Sequence, residues 1–118
     1  MGLDMYMYLD NIEENEILYW RKVPALHGWF EKLATDKGIK FESFNGIPVK
    51  VNKEDVYKLR TDLINDNLDM SVTGFFFGSD NNMSLDEYEK WKKNRLQECE
   101  IMLDSLENQD YIIYNSWW

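Results

Sequence analysis

Cysteine is nearly absent from this chain: Cys99 is the only one among 118 residues. A single thiol excludes an intrachain disulfide and a cysteine-based zinc cluster. It falls on the apolar stripe of an expected helix, which assigns it to the core as a small hydrophobe. Histidine is as scarce, His27 being alone. A lone imidazole with no paired nucleophile or oriented carboxylate is not a catalytic constellation, so no catalytic residue is assigned. No apolar run approaches the roughly 20 residues that cross a membrane. The first residues lack the cationic start and apolar block of a signal peptide. Tyr6 stands where a myristoylated terminus carries Ser or Thr. These absences predict a soluble cytoplasmic protein with no membrane partner. Cations are also in short supply, with 13 Lys and Arg against 22 Asp and Glu and a formal charge of −9. That balance argues against duplex nucleic acid as a partner, although a local cationic pocket can still hold a small anion. The length suits one domain, 1–118, with a single core of modest size.

What is present reads as an alternation of strands and helices. Leu3 to Leu9 predicts a strand rich in Tyr and Met. Asn11 to Lys22 reads as a helix, with Glu13, Glu14 and Glu16 in its early turns where the helix dipole favours acids. Pro24 interrupts it and opens a second helix to about Asp36, with Leu26, Trp29, Phe30 and Leu33 on one face and Gly38 as its stop. Lys40 to Ser43 and Ile47 to Val51 form an expected hairpin around Asn45-Gly46. Asn52 caps a helix that buries Val56, Leu59 and Leu63. Val72 to Gly78 predicts a strand, and Ser84 with Glu87 forms a capping box opening the longest helix, to about Glu107. Residues 110–118 end the chain as a strand. The expected fold class is α+β: a mainly antiparallel sheet with N- and C-terminal strands, covered on one face by three to four helices. Either terminal strand can then lie at an edge, open to a second copy.

Three segments carry chemistry. The first, Tyr19 to Phe30, gathers Trp20, Trp29, Arg21, Lys22 and His27. Rings beside cations can stack on a base and neutralise a phosphate, with His27 at a base edge. Equally, Trp20 and Trp29 can be core anchors with the cations solvated, and residue types alone leave both readings open. In the second, on the long helix, Lys92 and Arg95 interrupt an apolar stripe beside Tyr88 and Trp91. They either snorkel to solvent or border an anion pocket. The third is Gly74 to Gly78, where Phe75 and Phe77 share one strand face and Phe76 the other, so a ring can meet a ligand. It is not a phosphate loop, because the GxxxxGK[ST] spacing is missing. Asp80, Asp86, Glu87 and Glu89 match no metal-loop spacing and read as a solvated acidic surface, so no metal is expected.

Four ordered blocks add a resemblance: Met1-Gly2-Leu3-Asp4-Met5-Tyr6; Tyr19-Trp20-Arg21-Lys22 with Ala25-Leu26-His27 and Trp29-Phe30; Gly74-Phe75-Phe76-Phe77-Gly78; and Tyr114-Asn115-Ser116-Trp117. Together they resemble a widespread family of small phage and prophage proteins, over the length from Met1 to Trp117. This chain departs from the pattern in having Pro24 where the family has Asn, and in the additional Trp118. The resemblance implies an anti-CBASS sponge. Such a protein would bind a cyclic di- or trinucleotide immune signal in the host cytoplasm and sequester it uncleaved, as a dimer or tetramer and without a cofactor. Under it, Arg21, Lys22 and His27 contact phosphates or base edges, Trp20 stacks, and Ser116 with Trp117 completes the pocket. Phe75, Tyr88, Lys92 and Arg95 are further candidate ligand contacts. Two alternatives stay open: a phosphodiesterase using His27 as acid or base, and an acidic inhibitor that binds a host defence protein.

Overall fold

The computed structural model describes residues 2–9, 15–71, 73–74, 78–79 and 83–118. The first strand, β1 (Asp4–Tyr8), alternates strictly: Met5 and Met7 are fully buried, and Asp4, Tyr6 and Tyr8 face the other way. The chain then returns as a second strand, β2 (Glu16–Arg21), antiparallel to β1. This corrects the helix expected for Asn11 to Lys22, of which residues 11–14 lie outside those described. Ile17, Leu18, Tyr19 and Trp20 are branched or aromatic residues that suit a pleated surface, and β1 has a free edge to be filled. Cross-strand pairing outweighs the weak helical signal of a few acids. Leu9 N–H to Asn15 O, at 2.9 Å, closes the hairpin.

Lys22 turns the chain out of β2 with φ +55°, and α1 (Pro24–Asp36) begins at once with proline in its first turn. Its end is a Schellman motif. Gly38 takes φ +82°, its N–H reaches Thr35 O at 3.0 Å, and Ile39 N–H reaches Ala34 O at 3.0 Å. The expected hairpin around Asn45-Gly46 is not formed. Only β3 (Val49–Val51) is a strand there, and it pairs with the last strand, β6 (Ile112–Trp117). Asn45-Gly46 instead clamps the end of β6. Gly46 N–H donates to Ser116 O at 2.8 Å, and the Asn45 amide binds the Trp118 backbone through two bonds of 2.9 and 3.0 Å.

Both expected capping boxes are present. Asn52 and Asp55 open α2 (Lys53–Ile64), and Ser84 and Glu87 open α3 (Leu85–Ser105). Between these helices lie β4 (Thr73–Gly74) and β5 (Gly78–Ser79), which pair with each other antiparallel. Of the strand expected from Val72 to Gly78, residues 72 and 75–77 lie outside those described, and the described parts pair with each other rather than continue as one strand.

The four-stranded sheet has the order β2-β1-β6-β3, antiparallel throughout, with three helices on one face. This is the expected α+β class. The terminal strands are the two inner ones, however, so the free edges belong to β2 and β3. Two long strands that hydrogen-bond on both sides leave fewer unpaired backbone groups than two that do so on one side. The core lies between sheet and helices: Met5, Met7, Trp20, Ile112 and Tyr114 from the strands meet Leu26, Phe30, Leu59, Leu63, Cys99 and Met102 from the helices. Cys99 is fully buried, and burial pushes its thiol up to about 12, which leaves it unreactive.

Candidate functional site

Among the described residues, helices cover one face of the sheet and leave the other open, and register decides which side chains occupy each. Met5 lies opposite Trp20, so both enter the core. Trp20 is 3 % exposed, with its ring centroid 6.4 Å from those of both Phe30 and Tyr114. It therefore offers no stacking surface to a ligand, contrary to the sequence expectation. His27 follows it inside: its Nδ1 shares a 2.6 Å hydrogen bond with the Tyr114 hydroxyl, and its ring lies 4.9 Å from that of Phe44. Burial lowers the imidazole to about 4, against a smaller upward pull from a hydrogen bond to the Phe44 backbone. Burial likewise pushes the Tyr114 phenol well above its ordinary range. Ser116 shares the covered face of β6 and is 2 % exposed. Trp20, His27 and Ser116 are thus packed into the core, where no ligand reaches them.

The α3 candidates already have partners in the helix layer. Lys92 pairs with Asp66 at 3.0 Å, and the Tyr88 hydroxyl donates to the same carboxylate at 2.7 Å. Partial burial, reinforced by that bond, moves the Tyr88 phenol up to about 12. Arg95 grips Glu98 through Nε and Nη2 and lies over the Trp91 ring, 5.4 Å from its centroid. Lys92 ties α3 to Asp66, Arg95 makes its contacts within α3 itself, and neither cation converges on a pocket with Arg21. Phe75 lies outside the described residues.

Three of the expected residues do reach solvent together. On the uncovered face, cross-strand neighbours form rows: Arg21–Asp4–Trp117, then Tyr19–Tyr6–Asn115, then Glu16–Tyr8–Ile113 with Lys50 beyond. Tyr6 and Tyr8 stack at 5.8 Å and 9°, and Tyr6 meets Tyr19 at 5.4 Å. The Tyr19 hydroxyl donates to Asp4 at 2.6 Å, which raises the Tyr19 phenol. Trp117 is 67 % exposed. Its ring rests on Gly46, where an added Cβ would stand 3.3 Å from ring carbon Cζ3. Arg21 and Lys22 are adjacent, and regular strand geometry would point them to opposite faces. The φ of +55° at Lys22 breaks that alternation. Both side chains then close on Gly2: a Cβ there would lie 3.2 Å from Lys22 Cε and 3.4 Å from Arg21 Nη2.

Residue chemistry singled out Arg21, Lys22 and Trp117 but missed Tyr6, Tyr8, Tyr19, Glu16 and Asn115. The alternation in Asp4–Tyr8 contained the signal for the tyrosines, since it separates them from the methionines. Among the described residues, no cluster of three metal-ligating side chains occurs, and no helix is long and apolar enough to cross a membrane. The fold and site together describe an α+β domain with an uncovered aromatic sheet face and a cation pair at its margin. No family model, curated protein or solved structure matches the chain. Its function is therefore argued from this face.

Proposed function

We propose that this chain binds a cyclic di- or trinucleotide across the uncovered sheet face and holds it intact. It would act as a phage protein that sequesters a host immune signal in the infected cell's cytoplasm. The observation that carries the reading is the meeting of Arg21 and Lys22 above Gly2, at the margin of a face of rings. Two cations at one point suit a phosphate, and Tyr6, Tyr19 and Trp117 offer rings for bases. The Arg21 side chain is more than half exposed and Asp4 approaches it only to 3.8 Å, longer than a hydrogen bond, so the guanidinium is within reach of a ligand from solvent. Sequestration needs affinity and no chemistry. The hydrolytic alternative loses its acid or base, because His27 is buried against Tyr114 and neutral at pH 7.

The reading includes a homo-oligomer. The free edge of β2 carries exposed Tyr19 and Arg21, so pairing with a second copy would bring two such faces side by side. The test incubates purified protein with a panel of cyclic di- and trinucleotides, removes free ligand, heats the complex and analyses what is released. Intact nucleotide supports the proposal. Cleaved nucleotide overturns it in favour of an enzyme, and no bound nucleotide overturns it in favour of an inhibitor acting through its acidic surface.

A further inference from the structure

The uncovered face is not flat. A groove of about 370 Å³ runs over β1, lined by Tyr6 and Tyr8 with Glu16 on the β2 side and Asn115 and Trp117 on the β6 side. We infer that this groove reads a nucleobase by its hydrogen-bonding edges and selects guanine; the inference rests on the nucleotide-binding reading above.

Asn115 is set in one orientation by the backbone. Its Oδ1 accepts the Ser116 N–H at 2.8 Å, a bond that the amide nitrogen cannot make, so Nδ2 carries its two N–H donors away from the strand. Asn115 is half-buried, and among the described residues Nδ2 has no partner. On the far wall, Glu16 is an exposed carboxylate that forms no ion pair or hydrogen bond among the described residues. One wall therefore donates and the other only accepts. The two residues stand two strands apart and one row out of line, a backbone separation of roughly 10–12 Å at strand spacings of ~4.8 Å. That leaves room between the two walls for a base with a hydrogen bond at each edge, set against the stacked pair of Tyr6 and Tyr8. Trp117, held against Gly46, closes the end.

The pattern discriminates among bases. Guanine has two adjacent donors, N1–H and the N2 amino group, for the two oxygens of a carboxylate. Its O6 and N7 acceptors lie along the opposite edge for an amide nitrogen. Adenine and cytosine each place a bare ring nitrogen beside their amino group, and its lone pair would face the carboxylate. Uracil flanks its single donor with two carbonyls. A site whose polar groups are matched to one base penalises the others by leaving those groups unpaired.

The experiment is calorimetric titration of wild type, Glu16→Gln, Asn115→Leu and Arg21→Ala with cyclic di-GMP and cyclic di-AMP, folding being checked by circular dichroism. Wild type should bind the guanine ligand roughly ten- to a hundred-fold more tightly. Glu16→Gln, at an exposed position, should bring the two affinities within about threefold. Asn115→Leu should weaken the guanine ligand most. Arg21→Ala should weaken both ligands alike. Equal wild-type affinities, or a guanine preference that survives Glu16→Gln, would overturn the base assignment and leave nucleotide binding standing. Failure of wild type to bind either ligand overturns the guanine assignment, and if the panel of di- and trinucleotides also fails, the nucleotide reading falls with it.

Discussion

Three tryptophans show how much depends on which way a ring points. Trp20 is in the core, Trp29 is half-buried with its indole N–H donating to Asp62 at 2.9 Å, and Trp117 stands in solvent. Trp20→Ala should lose about 3–5 kcal/mol, enough to unfold many small domains, as a lowered melting temperature or aggregation would report. Trp117→Ala should keep the melting temperature within a few degrees and weaken nucleotide binding by ~1–3 kcal/mol. If Trp117→Ala binds like the parent, the ring platform is wrong. Arg21→Ala should cost about thirty- to a thousand-fold in affinity with no change in melting. His27 contributes a pH dependence instead. Its folded value, about 4, lies below the unfolded value of 6.5, so below pH 6.5 the unfolded chain takes up a proton that the folded chain refuses. Stability from this group is complete above pH 6.5, falls as pH drops toward 4, and loses about 3 kcal/mol in total. Urea unfolding of wild type and His27→Gln between pH 7 and 4.5 checks it. The substitution should flatten the decline, and an unchanged slope would assign it to carboxylates.

At the level of elements, the segment around Gly46 does more than connect α1 to β3. Its φ of +69° and its N–H bond to Ser116 O place a side-chain-free backbone under Trp117. Gly46→Ala should be strained in the backbone and should push the ring aside, at a cost of ~1–2 kcal/mol. The expected readout is a small drop in melting temperature together with reduced ligand affinity. Loss of stability alone would mean that Gly46 serves only the fold. The β2 strand is the counterpart on the other side: it supplies Trp20 to the core and Tyr19 and Arg21 to the open face. Substitutions from Leu18 to Arg21 should therefore alternate in effect, core and face, with period two; the register shift opposite Met7 and Tyr8 ends that alternation and brings Glu16 to the open face.

Across the whole molecule, charge and sheet edges set what partners can approach. The chain carries −9 overall, yet Arg21 and Lys22 meet at one point, and under the proposed function affinity for an anion would come from that local pair. Salt should weaken it measurably. With β1 and β6 inside the sheet, β2 is the longer free edge, with six residues against three in β3. Light scattering at tens of micromolar should therefore find a dimer or a larger even-numbered assembly. A monomer, with and without ligand, would count against association through β2.

The sequence determined on its own whatever depends on near neighbours. Pro24 and Gly38 bound α1, Asn52-Asp55 and Ser84-Glu87 open α2 and α3, and the stripes through Leu59, Leu63, Cys99 and Met102 name the buried sides of those helices. Caps and periodicities are set by backbone groups within a turn or two, so they can be read without the fold. Only the tertiary structure decided that Glu16–Arg21 is a strand, because its reason is a partner across the sheet. It alone decided that the chain's two terminal strands lie inside the sheet. It also decided which residues share the open face. Alternation separates Tyr19 from Trp20, but nothing local states which face the helices will cover, and a left-handed residue at Lys22 is invisible in a strand pattern. Which ring meets solvent and which cations meet each other follows from how the layers close.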